Sequence, residues 1–270
     1  MNFLRNLAEA LNGTMETPKT FGWFHIMCFA IMVAICAVII IFRKRISQKA
    51  VNITLIVTGA VFILLELYKQ LVMTYDSNGL TEVLWYIFPF QFCSTPMYLA
   101  VIAGILRKGK VYDCLVSYLA SFGLIAGTLV MIIPGNVFIE TIGINIQTMI
   151  VHGGMVVIGV LLWATRTVEA NWKTLLKAGI IFAIMSSIAY ILNVIWHFTG
   201  PVDRHSFNMF YISMWDESAL PVLQDIQKVV PHIVFLLIYL IGFVLCAAIV
   251  IYFVKLIHII SAKIKAKKNG

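Results

Sequence analysis

A chain of 270 residues that is 61% hydrophobic and 12% charged, with a mean hydropathy of +0.95, carries far more apolar side chain than one soluble core can bury. That composition excludes a soluble globular enzyme and points to a bundle of apolar helices, each of about 20 residues, the length that crosses about 30 Å of hydrocarbon. The formal net charge of +8 is no nucleic-acid signal, because the basic residues sit in short links between apolar runs, where they report membrane topology.

In chain order, residues 1–20 place Phe3, Leu4, Leu7 and Leu11 on one helical face and are expected to form an interfacial helix on the outer membrane surface. No small-residue cleavage site follows the first apolar run, so this is not read as a secretory signal. Seven spans are predicted, at 21–42, 50–73, 84–106, 111–133, 143–164, 172–197 and 229–257. Fifteen of the 20 Lys and Arg residues fall on one side of them: Arg43, Lys44, Arg45 and Lys49, then Arg107, Lys108 and Lys110, then Arg166, Lys173 and Lys177, then Lys255 and the tail 258–270. The positive-inside rule then puts the N-terminus outside and the C-terminus in the cytoplasm. The expected fold class is an all-α polytopic membrane bundle forming one domain, integral to a bacterial cytoplasmic membrane.

Within the third span, Leu84 to Pro96 holds Pro89, Gln91, Cys93, Ser94, Thr95 and Pro96 in an otherwise apolar run. Backbone groups freed by proline at membrane depth need internal partners, so this stretch must face protein or a cavity. Gly123 and Gly127 form a GxxxG, expected to be a close helix-packing site. The long outer loop 198–228 mixes Pro201, Asp203, Arg204, His205 and Asn208 with Phe207, Phe210, Tyr211 and Trp215, and is expected to fold back as a lid over the bundle. The tail Lys263–Lys268 is expected to sit on anionic headgroups.

The five cysteines are scattered, with no CxxC and no Cys/His ligand spacing, so no disulfide framework, metal or cofactor is expected. Nucleotide-binding loops, HExxH and GxSxG are absent from the sequence, which argues against an ATP-driven pump or a zinc protease.

Counting inward from the outer ends of the spans puts Glu66, Cys93, His152 and Asn193, from four helices, in one layer about 8–14 Å below the outer boundary. Each has a structural alternative: Glu66 and Lys69 can neutralise one another three residues apart, a buried cysteine is commonly an inert small hydrophobe, and an intramembrane histidine commonly bonds a neighbouring helix. Taken together the set suits acyl transfer. Cys93 is the candidate nucleophile and His152 the base that takes its proton and returns it to the leaving alkoxide. Glu66 or Asn193 would orient the imidazole, Gln91 or Ser94 would donate to the oxyanion, and Lys69 would meet a lipid phosphate. The competing reading is a small transporter, channel or ligand-binding protein with Glu66, Lys69 and His152 lining a polar cavity. The acceptor, and so transfer against hydrolysis, is left open, as is the oligomeric state.

Phe24-His25, Glu66, Phe88-Pro89-Phe90-Gln91-Phe92-Cys93-Ser94, Pro134, Val151-His152-Gly153, Asn193 and Asn208-Met209 together resemble the YwaF-like integral membrane proteins, related to animal transmembrane protein 164. The resemblance runs over nearly the whole chain. It implies a helical membrane fold and a cysteine-dependent acyltransferase acting on membrane phospholipids, with Cys93 as nucleophile and His152 as base. It adds His25 and Asn208 to the candidate site. Gln91 stands where bacterial relatives usually carry histidine.

Overall fold

A computed structural model describes residues 2–200 and 207–269, so Pro201, Asp203, Arg204 and His205 of the long loop lie outside the described residues. The described residues are helical: α1 (Asn2–Leu11), α2 (Trp23–Phe42), α3 (Gln48–Asn78), α4 (Thr95–Leu106), α5 (Lys110–Tyr118), α6 (Leu124–Ile132), α7 (Ile142–Ala164), α8 (Trp172–Thr199), α9 (Leu223–Val229) and α10 (His232–Asn269). Six helical stretches among them are long and apolar enough to cross a membrane: Trp23–Arg45, Gln48–Asn78, Lys110–Ile132, Ile142–Ala164, Trp172–Thr199 and His232–Ile264. The protein is an integral membrane protein.

The predicted span 84–106 departs from the expectation of a continuous helix. Only its second half, Thr95–Leu106, is α-helical, preceded by a single 3-10 turn at Trp85–Ile87. Pro89 and Pro96 are the cause: Pro89 holds Phe88 out of helical backbone at φ −47°, ψ 134°, and Pro96 has no N–H to offer the Phe92 carbonyl one turn earlier, so it is tolerated only in the first turn of a helix, where it sits. The carbonyls this frees are taken up inside the bundle. Gln70 Nε2 donates to the Ile87 carbonyl at 2.6 Å, Tyr98 Oη to that of Pro89 at 3.1 Å and Thr95 Oγ1 to that of Phe92 at 3.1 Å. Broken backbone is stable at membrane depth only when satisfied in this way.

Two ends of the bundle are identified by contacts between elements. At the basic end, Gln48 at the start of α3 donates to Tyr112 Oη near the start of α5 at 2.7 Å, Thr167 just past α7 donates to Gln48 at 3.3 Å, and Lys177 of α8 pairs with Asp113 of α5 at 2.8 Å. At the opposite end, Asp76 near the end of α3 accepts from Asn12 and from Thr141, just before α7. Because α3 and α5 both start at the basic end, the stretch 79–109 carries the chain back across the bundle.

Close helix approach depends on glycine at two contacts that bear on the site. A Cβ on Gly104 of α4 would stand 2.7 Å from the Asn52 carbonyl oxygen of α3, and one on Gly127 of α6 would stand 2.5 Å from the His152 carbonyl oxygen of α7. Gly123, the partner of Gly127 in the GxxxG, has no such neighbour, its nearest being 3.9 Å away. It ends a π turn, Leu119–Gly123, that joins α5 to α6. That turn is secured by the Trp163 indole, which donates to the Ala120 carbonyl at 2.7 Å.

Candidate functional site

The placement of Cys93 begins with its neighbour. Phe92 drives its ring into a buried aromatic cluster, with centroids 5.2 Å from Phe243, 5.6 Å from Phe210, 5.9 Å from Phe182 and 6.5 Å from Phe122. Anchoring Phe92 there leaves the half-buried Cys93 beside α3 and α7, two residues before the first turn of α4. The positive dipole end of a helix start favours negative charge at such a position, although the Ser94, Thr95 and Met97 N–H groups are themselves bonded to the Gln91 and Ser94 carbonyls.

Cys93 lines a small cavity of about 110 Å³ together with Phe62, Glu66 and Lys69 of α3, Ser94, Met97 of α4, Val137, and Gln147, Thr148, Val151 and His152 of α7. Five of the residues singled out from sequence thus share one wall-to-wall space: Glu66, Lys69, Cys93, Ser94 and His152. Glu66 Oε1 accepts from Lys69 Nζ at 2.8 Å and from Gln70 Nε2 at 2.9 Å, and Glu66 is 6% exposed. The carboxylate is therefore neutralised within its own helix, by the next turn toward the C-terminus, and a charge buried this deeply is held only by such pairing.

His152 is oriented by its own helix. Its Nδ1 lies 2.8 Å from the Thr148 carbonyl, which can only accept, so Nδ1 carries the proton and Nε2 is left with its lone pair. Neither Glu66 nor Asn193 holds this imidazole. The residue doing so, Thr148, stands four before His152, a helical spacing that a search for backbone acceptors in the sequence would have exposed. Gln70, four after Glu66, was legible in the same way; Gln147 had no such signal.

The remaining candidates lie elsewhere. Asn193 Nδ2 donates to the Met209 carbonyl at 3.1 Å while its Oδ1 accepts from Met209 N–H at 2.7 Å. Gln91 does the same one residue to either side, donating to the Asn208 carbonyl at 3.0 Å and accepting from Phe210 N–H at 3.0 Å. Asn208 Oδ1 accepts from Ser213 N–H at 2.8 Å and its Nδ2 donates to the Glu217 carbonyl at 3.1 Å. All three amides therefore hold the loop 207–217. They clamp two consecutive non-glycine residues in the left-handed region, Phe210 at φ 58° and Tyr211 at φ 57°, a conformation that persists only where its surroundings impose it. His25 is also committed: Nδ1 accepts from Phe21 N–H at 3.0 Å and Nε2 donates to the Met131 carbonyl at 2.9 Å, tying α2 to the end of α6.

The clamped loop packs Phe207, Met209 and Phe210 into the core and lays Phe207 between Phe88 and Trp196. Burial, and secondarily the neighbouring Cys93 thiol, pushes the Tyr211 phenol above its ordinary range. Farther out, the Gln224 amide and then Lys228 hold the exposed Glu217 carboxyl below its ordinary range. Because that value is depressed, the stabilising contribution is present above the unfolded value and is lost only as pH falls through the folded one.

No group of three or more His, Cys, Asp or Glu side chains suited to a metal ion occurs among the described residues. No curated protein and no solved structure matches the chain. A family model does: that of the TMEM164 family matches residues 20–255, a stretch that takes in the cavity, its aromatic anchor and the clamped loop together, and the chain belongs to that family.

Proposed function

We propose that the protein is a membrane-embedded acyltransferase that moves fatty acyl chains between phospholipids through a thioester on Cys93. The observation carrying this reading is the convergence of Cys93, His152, Glu66, Lys69 and Ser94 on one cavity. As Cys93 Sγ attacks the ester carbonyl carbon, His152 Nε2 takes the thiol proton and the carbonyl π pair moves to oxygen. Collapse of that oxyanion breaks the C–O bond, and His152 returns the proton to the departing lysolipid alkoxide. An acceptor hydroxyl then gives its proton to His152, attacks the thioester and regenerates the thiol; water in that role gives hydrolysis. The Ser94 hydroxyl, which lines the cavity, is the donor left to stabilise the oxyanion, since Gln91 and Asn193 are engaged by the loop and the Thr95 and Met97 N–H groups are bonded to the Gln91 and Ser94 carbonyls. A space of about 110 Å³ suits the reacting ester and a few methylenes, with the rest of the lipid outside it.

In this reading the chain crosses the bilayer seven times, with the N-terminus outside and the cavity in the outer half of a bacterial cytoplasmic membrane. The return of the chain through 79–109 and the gathering of basic links at one end support it. A transport function is less well supported: toward the basic end α7 continues through Met155, Ile158 and Leu162, all buried and apolar, so the polar lining does not continue along that helix.

The test is intact-mass measurement after incubation with phospholipids of defined chain. Wild type gains one acyl mass that hydroxylamine removes; Cys93→Ser gains none; His152→Gln forms the adduct about 10²–10⁴-fold more slowly at an unchanged unfolding temperature. An adduct retained in Cys93→Ala, or none in wild type, overturns the assignment.

A further inference from the structure

A second, larger cavity shares none of its lining residues with the one that holds Cys93. A groove of about 620 Å³ runs between α2, α6, α7 and the C-terminal half of α10, and its walls are apolar, including Leu129, Val160, Ile249 and Phe253. Along α7 its residues Val160 to Ala164 lie 8–12 positions beyond His152, about 12–18 Å toward the basic end. One end of the groove is cationic instead: Arg43, Arg166 and His258 converge there beside the Ser261 hydroxyl, and no carboxylate lines it. Arg166 Nη1 donates to His258 Nδ1 at 2.6 Å, and Arg43 Nη1 to the Ile40 carbonyl at 2.6 Å. Each guanidinium has five N–H donors, so most remain available, and neither takes part in an ion pair among the described residues. Two acids at the basic end have other partners, Asp113 pairing with Lys177 and Glu169 accepting from Asn171.

Two guanidiniums brought together at the mouth of an apolar groove, with no carboxylate paired to either and Asp113 and Glu169 lining a separate cavity on the far side of Arg166, form an arrangement that an anion with an attached hydrocarbon chain completes. Planar guanidinium forks match phosphate oxygens, and the groove runs away from them along the lipid-facing side of α10. We propose that this groove binds one anionic phospholipid of the leaflet at the basic end, with its phosphate between Arg43, Arg166 and Ser261 and an acyl chain along Leu129, Val160, Ile249 and Phe253. The site is separate from the Cys93 cavity and needs none of that cavity's chemistry.

The test uses the full-length protein in neutral detergent and counts retained lipid by native mass spectrometry. Phosphatidylglycerol is offered against phosphatidylcholine of the same chains. Wild type retains one phosphatidylglycerol in preference to phosphatidylcholine. Arg43→Gln/Arg166→Gln lowers that preference about thirtyfold, as expected for the loss of two cations at a headgroup. Cys246→Trp, which fills the groove and leaves the charges, loses the retained lipid as well, whereas Lys263→Gln/Lys267→Gln in the tail keeps it. Unfolding temperatures of all variants establish that they are folded, and the groove-filling variant decides the question if the arginine pair is not. Equal retention of the two lipids, a preference surviving Cys246→Trp, a preference lost with the tail lysines, or displacement by excess inorganic phosphate each overturns the proposal.

Discussion

Two buried histidines in this protein are separated by what their ring nitrogens touch. His25 has both engaged, one accepting from Phe21 and one donating to Met131, and so acts as a tie between helices. His152 has Nδ1 engaged by the Thr148 carbonyl, and it lines the cavity that holds Cys93. The amides divide similarly. Gln91 and Asn193 each form a pair of hydrogen bonds with loop backbone, and truncating either leaves a buried N–H and C=O unpartnered at about 1–3 kcal/mol per group. Asn193→Leu is therefore expected to raise amide hydrogen exchange across residues 207–213 by at least about tenfold, with exchange in α7 unchanged. Unaltered exchange at Met209 would show that the clamp does not hold the loop. The residue types were readable in the sequence as a polar set; their separation into cavity and clamp was not, because amide and imidazole groups at one depth can face different neighbours.

At the scale of elements, the broken third span and the α6–α7 crossing position the cavity. Pro89 and Pro96 prevent a straight helix from Leu84 to Leu106, and the resulting irregular stretch lets Phe92 enter the aromatic core while Cys93 faces α3 and α7. The prolines announced the break, and hydrogen bonds from Gln70, Tyr98 and Thr95 make it tolerable in the bundle. Gly127 matters because it admits α6 to the backbone of His152 itself. Gly127→Val is expected to cost about 1–3 kcal/mol or more, since the obstructing atom is a main-chain oxygen that cannot rotate away. The measurement is the thermal unfolding midpoint in detergent, and Gly123→Ala, with no neighbour inside 3.9 Å of the added carbon, provides the contrast. Equal destabilisation by the two would remove the special role of Gly127.

For the whole molecule, the decisive quantity is the parity of crossings. Six long helices alone would put both termini on one side, whereas counting the stretch 79–109 as a seventh crossing would put them on opposite sides. The seven-crossing reading predicts that an N-terminal epitope is digested by protease added outside intact cells while a C-terminal fluorescent fusion glows in the cytoplasm. Termini reporting the same side would restore an even count.

Membership of a membrane class, the positions of the long apolar helices and the identity of the polar residues among them were determined by the sequence alone, because about 20 consecutive apolar residues have few alternatives to a spanning helix. The tertiary structure decided three further things. The third span is half helix and half irregular chain. Cys93, Glu66, Lys69, Ser94 and His152 share a cavity while Gln91, Asn193, Asn208 and His25 secure backbone elsewhere. Arg43, Arg166 and His258, far apart in the chain, meet at one groove. The physical reason is common to all three. Hydropathy fixes how deep a residue lies, whereas the rotation of each helix about its axis fixes whom it meets, and that rotation is set by contacts such as Phe92 among its rings and Gly127 against the carbonyl of His152.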